Sequence, residues 1–250
     1  MCRHLAYLGP PTSLAELVLA PPNSLLRQTW APQDMRGSGS VNADGFGIGW
    51  YVDGEDAPVR YRRSLPMWAD ASLPDLARTV RTHATLAACR NGTVGMPVME
   101  TACAPFTEGR WLFSHNGIVA GWPDSVATLA RELPVVDLMT IEAPTDSVLV
   151  WALLRHLLRE GVELPKAVAA VTADVLGAAP GSRLNLLATD GETIVATTWQ
   201  HSLSVLNEDG RVLVSSEPTD PEDTRWHPVP EAHLVVADRS DVQISPLDAP

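Results

Sequence analysis

Apolar positions recur along this chain with two spacings, which separate predicted strands from predicted helices. Short continuous apolar runs, such as residues 5–8, are typical of buried strands. Two longer stretches, 145–159 and 164–176, repeat their apolar positions at helical spacing, and Thr145 is a candidate N-cap for the first. Strands thus precede and follow a central pair of helices, a pattern that predicts two sheets sandwiched by helices.

Shorter elements fill the rest of the chain. Residues 36–41 and the Asp209-Gly210 pair predict a flexible loop and a turn. The remaining predictions are helices over 13–19 and 74–83, a hairpin of 47–52 with 59–63, and strands over 86–90, 111–115, 184–188, 193–199, 203–206, 212–215, 233–236 and 242–245.

Composition narrows the function classes. The 250 residues are 45% hydrophobic, enough for one sizeable core, so we expect a single domain over residues 1–250. Thirty acidic residues against 18 basic ones give a net charge of −12, which argues against the basic face that nucleic-acid binding requires. No apolar run reaches the roughly 18 residues of a membrane span. We expect neither a nucleic-acid nor a membrane partner, and the choice between a monomer and a homodimer stays open.

The three cysteines, Cys2, Cys89 and Cys103, are too few and too widely spaced for a disulfide framework or a zinc site. The seven histidines show no metal-binding spacing. We therefore expect an enzyme without metal or cofactor. The start of the chain lacks a signal-peptide pattern, which favours a reducing cytoplasm.

Cys2 is the strongest candidate for chemistry. It directly follows Met1, and once that methionine is removed it would carry both a thiol and a free α-amino group. Free thiols titrate near about 8.5 and α-amino groups near about 7.7–8.0. The amine can therefore take the thiol proton, so that one residue supplies both nucleophile and base. Taken alone, a cysteine at position 2 can equally be arbitrary.

Four further segments place small polar residues where a strand ends or a helix begins. The Gly-x-Gly-x-Gly within 42–49 suggests a phosphate loop but lacks the strand–helix context, so a tight turn is the alternative. Arg90 can hold a carboxylate with two donors, or form a surface salt bridge. Asn116 and Gly117 can stabilise an oxyanion, or form an ordinary turn. Asp146 can bind a ligand ammonium, or simply favour the start of its helix.

Together these motifs resemble the class II glutamine amidotransferases of the N-terminal nucleophile hydrolase superfamily. The motifs follow the family's order over about the first 150 residues: Met-Cys-Arg at the start, Asn-Ala-Asp-Gly-x-Gly-x-Gly-Trp from Asn42, Arg-x-x-Thr-x-Gly from Arg90, His-Asn-Gly from His115 and Thr-Asp-Ser from Thr145. The resemblance implies an α+β fold, a four-layer αββα sandwich with two mainly antiparallel sheets between helix layers.

The resemblance also implies a role for each site residue. Cys2 is the nucleophile and its own amine is the base. Asn116 and Gly117 form the oxyanion hole. Arg90 and Thr93 hold the α-carboxylate of a γ-glutamyl group, and Asp146 holds its α-ammonium. The chain departs from its relatives at Gly92, where they often carry alanine.

Segments including 14–19, 95–97, 183–185 and 215–218 further resemble the amidohydrolases of ergothioneine biosynthesis. This implies hydrolysis of γ-glutamyl-hercynylcysteine sulfoxide, a small-molecule substrate, to glutamate and hercynylcysteine sulfoxide. Two alternatives remain open: a glutamine amidohydrolase that supplies ammonia to a separate synthase, and a non-catalytic interaction protein with the same fold. An intact Cys2 with an intact Asn116-Gly117 pair argues against the second.

Overall fold

A computed structural model describes residues 2–36, 41–208 and 210–248. The strands within these ranges are β1 (Arg3–Ser13), β2 (Phe46–Trp50), β3 (Val59–Arg63), β4 (Arg81–Cys89), β5 (Phe106–Glu108), β6 (Trp111–Ile118), β7 (Arg183–Thr189), β8 (Ile194–Thr198), β9 (Ser204–Glu208), β10 (Arg211–Ser215), β11 (His227–Pro228), β12 (His233–Ala237) and β13 (Val242–Pro246). The α-helices there are α1 (Leu14–Val18), α2 (Leu25–Gln28), α3 (Leu73–Thr79), α4 (Ala127–Ala130), α5 (Val135–Met139), α6 (Asp146–Arg159) and α7 (Leu164–Ala178).

The strands form two sheets that pack face to face. Sheet A has the order β11-β9-β10-β1-β4-β2-β3 and sheet B the order β13-β12-β8-β7-β6-β5. Neighbouring strands in both sheets are antiparallel. Leu8 and Leu86 of sheet A share one buried cluster with Leu112 and Leu187 of sheet B, so the sheets enclose a common core.

Helices cover the outer face of each sheet. A second core joins the outer face of sheet A to α1, α2 and α3, and a third joins sheet B to α6 and α7. The order is therefore helices, sheet, sheet, helices. The predicted four-layer αββα sandwich is confirmed, whereas the single domain over residues 1–250 stays a prediction.

Strand β1 lies in the middle of sheet A and begins one residue after Cys2. It pairs with β4 on one side, where Arg3 lies opposite Cys89, and with β10 on the other, where Leu5 lies opposite Ser215. Its residues 3–9 are buried on both faces of the sheet, which explains why the sequence shows a continuous apolar run there rather than alternation. The chain thus places Cys2 at the end of a rigid, doubly paired strand.

The helix predicted over 74–83 is wrong in its second half. Helix α3 ends at Thr79, and β4 begins at Arg81. The Thr82 hydroxyl donates to Tyr51 O at 2.8 Å and the Thr85 hydroxyl to Gly49 O at 2.6 Å. These contacts beside β2 outweigh the local helical spacing, because pairing in a sheet interior overrides weak propensity.

Some predictions fall on residues outside the described ranges. These are the removal of Met1, the central four residues of the 36–41 loop, and Asp209 of the Asp209-Gly210 turn. In the part of the chain that the structure does describe, no helix combines the length and apolarity needed to cross a bilayer.

Candidate active site

The Cys2 thiol stands at the entrance of β1 and is half-buried. Its sulfur lies 3.8 Å from the carbonyl oxygen of Asn91, in the loop that follows β4. Cys2, Cys89 and Cys103 are all free thiols. Burial raises the pKa of Cys89 to about 12 and that of Cys103 to about 11, so both stay protonated at neutral pH and neither is a nucleophile there.

A pocket opens beside the Cys2 sulfur. Its polar wall is formed by residues from four elements or their ends: Cys2, Arg90, Ser114, His115 and Ser147. Its apolar wall consists of Phe46, Ala88, Cys89, Ala102, Ala104 and Phe106. The pocket therefore presents a thiol and a guanidinium to the same space.

Arg90 is held by the backbone on both sides. Its amide nitrogen donates to Gly45 O at 2.8 Å, and its carbonyl oxygen accepts from Asp44 N at 3.0 Å. The Asp44 carboxylate accepts in turn from Gly92 N at 2.7 Å. One guanidinium nitrogen donates to Pro97 O at 2.9 Å, which leaves other donors of the guanidinium for a carboxylate.

Gly92 lies directly against this guanidinium. A Cβ at that position would lie 3.1 Å from the Arg90 Nη2 atom. The glycine thus gives the side chain of Arg90 slightly more room than an alanine would. Thr93, one residue further on, is exposed, and the pocket lining does not include it. The structure therefore does not bring Thr93 to the pocket with Arg90.

Asn116 and Gly117 lie on β6, opposite β7. The Asn116 side chain is fully buried, and neither atom of its amide has a hydrogen-bond partner among the described residues. Alternation along the strand places it on the same face as Ser114, whose hydroxyl contacts His4 of β1 at 3.2 Å. The amide therefore faces sheet A, from which the Cys2 strand comes, although neither residue 116 nor 117 lines the pocket itself.

Gly117 is required by a close approach of two strands. A Cβ there would lie 1.8 Å from the carbonyl oxygen of Arg183 on β7. Any side chain would push β6 away from β7. The backbone beside Asn116 is thus held close to its neighbour by the absence of a side chain.

Asp146 is buried at the first turn of α6, which is capped by the Thr145 hydroxyl accepting from Val148 N. One carboxylate oxygen accepts from Val119 N at 3.0 Å and the other from Ser147 N at 2.7 Å. These backbone donors fix the carboxylate in place, and it retains lone pairs for a ligand ammonium. The pocket lining includes its neighbour Ser147 but not Asp146 itself.

Two pocket residues, His115 and Ser147, connect the β6 motif to the start of α6. His115 Nε2 lies 3.0 Å from Arg183 O, and His115 Nδ1 lies 3.0 Å from the Ser147 hydroxyl. Because a carbonyl only accepts, the proton of the neutral ring belongs on Nε2, and Nδ1 accepts from Ser147. His115 and Ser147 belong to the His-Asn-Gly and Thr-Asp-Ser motifs, and Ser114 directly precedes the first of these. The sequence alone indicates no role for any of the three residues.

Two other histidines, His4 and His201, are buried close to this site. Burial, and secondarily the nearby His115 and His201, lowers the pKa of His4 to about 3. Burial, and secondarily Arg183 and Arg3, lowers that of His201 to about 3. Both rings are therefore neutral at neutral pH, and they add no positive charge beside the thiol.

Comparison with known proteins places this arrangement in a family. The family model for class-II glutamine amidotransferases matches residues 23–210. The chain belongs to the class-II glutamine amidotransferases. Among curated proteins, it is 41% identical to the γ-glutamyl-hercynylcysteine sulfoxide hydrolase of Mycolicibacterium smegmatis, over 99% of this chain and 100% of that protein. It is 38% identical to the protein of the same name from Mycobacterium tuberculosis, over 99% and 97%.

Solved structures of class-II glutamine amidotransferases share the fold. A glutamine aminotransferase class-II domain protein from Silicibacter pomeroyi matches with a TM-score of 0.67 at 24% identity, and each chain is covered completely. Glutamine phosphoribosylpyrophosphate amidotransferase from B. subtilis matches with a TM-score of 0.64 at 14% identity, over 99% of this chain and 49% of that one. At these identities the likeness concerns the fold alone, and it confirms the resemblance on which the fold prediction was based.

Proposed function

We propose that this class-II glutamine amidotransferase hydrolyses the γ-glutamyl amide of γ-glutamyl-hercynylcysteine sulfoxide and releases glutamate and hercynylcysteine sulfoxide. The relatives that carry this name match the chain from end to end at 38–41% identity. One structural observation carries the proposal: the Cys2 thiol and the Arg90 guanidinium line the same pocket. That pair is what a cysteine hydrolase specific for an α-carboxylate-bearing acyl group requires.

The first half of the reaction forms a thioester. With Met1 removed, the α-amine of Cys2 takes the thiol proton, and the thiolate attacks the γ-carbonyl carbon. The Asn116 amide and the Gly117 N–H donate to the oxyanion that forms; one such donor contributes roughly 2.7–4 kcal/mol. The carbon–nitrogen bond then breaks, and the leaving amine takes the proton from the Cys2 ammonium.

The second half releases glutamate. The same amine, now neutral, removes a proton from water, and the hydroxide attacks the thioester carbon. The tetrahedral intermediate collapses with cleavage of the carbon–sulfur bond, and the departing thiolate recovers the proton from the ammonium. The original thiol proton leaves on the product amine, a proton from water replaces it on the thiol, and neither a metal nor a cofactor enters the cycle.

Recognition of the glutamyl group rests on two opposite charges. We assign the α-carboxylate to Arg90, which lines the pocket and uses one guanidinium nitrogen on Pro97 O. We assign the α-ammonium to Asp146, whose carboxylate is fixed by backbone hydrogen bonds. Both groups of a free α-amino acid terminus would thus be bound, which selects γ-glutamyl amides from other amides.

The remaining assignments concern the setting of the reaction. We propose a cytoplasmic enzyme, because its three cysteines are free thiols and a nucleophilic Cys2 requires a reducing compartment. Its partner in this proposal is the small-molecule substrate alone.

The test is release of glutamate from γ-glutamyl-hercynylcysteine sulfoxide and from free glutamine, measured in parallel with wild type and the Cys2→Ala variant. We expect fast release from the sulfoxide, little from glutamine, and none by the variant. Release mainly from glutamine would instead identify a glutaminase that supplies ammonia to a synthase. Equal release by Cys2→Ala would remove the mechanism altogether.

A further inference from the structure

A buried ion pair lies immediately behind the nucleophile. The side chain of Arg3, the residue after Cys2, is 1% exposed, and its Nη2 atom lies 3.0 Å from the carboxylate of Glu217, which is 2% exposed. The same Nη2 atom donates to Asp34 O at 2.7 Å. Charges at this depth are stable only when each has a partner, so the two residues hold each other in place.

Glu217 uses its whole carboxylate. One oxygen forms the ion pair with Arg3 and accepts from Asp34 N at 3.1 Å, and the other accepts from Gln33 N at 2.9 Å and from Asn23 Nδ2 at 3.2 Å. Three hydrogen bonds and the ion pair therefore occupy both carboxylate oxygens. In Glu217→Gln, the side-chain NH2 group would face N–H donors of the surrounding residues. Turning the amide over does not remove the conflict, because both carboxylate oxygens of Glu217 accept from N–H groups.

Ser216, the residue before Glu217, forms hydrogen bonds with His4, the residue after Arg3 on β1. His4 N donates to the Ser216 hydroxyl at 3.0 Å, and Ser216 N donates to His4 O at 2.9 Å. Segment 215–217 therefore continues the β10–β1 pairing up to the first residues of the strand. It fixes the side chain of residue 3 and the backbone of residue 4, while the Cys2 thiol makes one long hydrogen bond among the described residues, to Asn91 O.

We propose that Glu217 is a positioning residue that acts through Arg3 to hold the Cys2 thiol in its reactive geometry. The inference rests on the proposed function in one respect, that Cys2 is the nucleophile. Glu217 does not line the pocket, so it touches neither the thiol nor the substrate. Its contribution is the orientation of β1 at its first residues, and such orientation affects rate far more than binding.

Asp137 provides a matched control for the burial of a carboxylate. It is also buried, it accepts from Arg159 at 2.8 and 2.9 Å, and it lies on α5 of the helical layer that covers sheet B. Asp137→Asn removes the charge of a buried carboxylate that pairs with an arginine, as Glu217→Gln does, but its partner Arg159 is exposed and the nucleophile strand is untouched. We expect both variants to lose stability, but only Glu217→Gln to disturb the orientation of Cys2.

The experiment measures three properties of wild type, Glu217→Gln and Asp137→Asn: kcat and KM per folded enzyme, alkylation of Cys2 by iodoacetamide, and hydrogen exchange of the peptide containing residues 2–8. For Glu217→Gln we expect kcat to fall about a hundredfold with KM near wild type. Cys2 should still be alkylated, and the 2–8 peptide should exchange faster. Asp137→Asn should keep the wild-type kcat and the slow exchange of that peptide.

The double variant Arg3→Met with Glu217→Met covers the case in which Glu217→Gln fails to fold. Replacing both partners of a buried pair by apolar residues often preserves stability, but it removes the hydrogen bonds to residues 33 and 34. A folded double variant with low kcat supports the positioning role, and one with wild-type kcat overturns it. Since exchange needs no substrate, a wild type inactive on both amides with faster 2–8 exchange in Glu217→Gln would refute the proposed function alone.

Discussion

Asn116 and Asn185 lie directly opposite each other on β6 and β7, and both side chains are fully buried. Asn185 uses its amide completely: Nδ2 donates to the carbonyls of residues 201 and 202, and Oδ1 accepts from Trp199 N at 2.7 Å. Asn116 has no such partner among the described residues. One asparagine of the pair therefore supports the fold, and the other is free to serve the reaction.

Replacement of each asparagine by alanine should separate these roles. Asn116→Ala should lower kcat about 10²–10³-fold through loss of an oxyanion donor, with little change in the free energy of unfolding. Asn185→Ala should lower that free energy by about 1–3 kcal/mol, since buried backbone groups lose their partners. Urea unfolding and steady-state kinetics check both. Normal turnover by Asn116→Ala would exclude its role as a donor.

Cys2→Ala should abolish hydrolysis and leave the urea midpoint unchanged, because the thiol makes one long hydrogen bond within the part of the chain that the structure describes. Cys103→Ser is the matched control: its hydroxyl can still donate to the carbonyls that Cys103 Sγ approaches at 3.4 Å, and activity should persist. Intact mass spectrometry of wild type should show that Met1 is absent. A fully active enzyme that retains Met1 would rule out the α-amine as the base.

Asp146→Asn should affect only substrates that carry an α-ammonium. Hydrogen bonds to charged groups contribute about 1.5–3 kcal/mol, so we expect kcat/KM for a γ-glutamyl amide to fall about tenfold or more. The matched substrate is the glutaryl amide, which lacks the α-amino group. Wild type and variant should hydrolyse it at the same rate. Equal losses on both substrates would assign Asp146 a purely structural role.

Acid should destabilise the protein well before its carboxylates titrate. The pKa values of His4 and His201 fall from an ordinary 6.5 to about 3 on burial. Between these values the unfolded chain binds more protons than the folded one, so stability is complete above about pH 6.5 and declines below it. The neighbouring His115, Arg3 and Arg183 further disfavour a positive charge on these two rings. The hydrogen bonds of its capping box lower the pKa of Glu16 from 4.5 to about 2. The stability that this carboxylate contributes is therefore lost only below pH 4.5.

Urea midpoints measured between about pH 7 and about pH 5 test this expectation. Wild type should lose stability over that interval, and His201→Gln should show a smaller loss. His227→Gln, at an exposed position, should match wild type. A midpoint that does not change with pH in wild type would contradict the neutral state of the buried rings.

Gly117→Ala should prevent stable folding, since its Cβ would meet the Arg183 carbonyl at 1.8 Å, a backbone atom that cannot turn aside. Gly177→Ala is the contrasting variant. Nothing lies within 4 Å of a Cβ at that position in α7, so the substitution should stabilise by about 0.8–1.0 kcal/mol. Thermal unfolding compares the two. A stable Gly117→Ala protein would show that β6 and β7 can separate at no cost.

Local signals in the sequence were sufficient for much of the fold. Helix α6 was predictable because Thr145 caps it and its apolar stripe is continuous, and the β2–β3 hairpin because its turn is an Asp-Gly pair. The start of β4 within the 74–83 segment was not predictable in this way. The hydroxyls of Thr82 and, just beyond the segment, Thr85 donate to carbonyls that are distant in sequence. The spacing of apolar residues reflects only interactions between residues that are close in sequence.

The residues of the site also fall into those that a local motif indicates and those that it does not. Cys2 and Arg90 stand out because each follows or precedes a strand within a short motif, and both reach the pocket. Glu217 does not stand out, because the partner that explains it, Arg3, is near the other end of the chain. Thr93 stays a prediction: its spacing from Arg90 fits the motif, and the residue is exposed at the turn that Met96 N and Thr93 O close.

The central position of β1 also sets the order in which the enzyme can come into being. Its first residues are made at the start of synthesis, but their strand neighbours end at Cys89 and Ser215. A nascent chain therefore carries its nucleophile through most of translation without the frame that orients it. Pairings this far apart in sequence form late and slowly, so catalytic competence arrives only when the ribosome has passed Glu217.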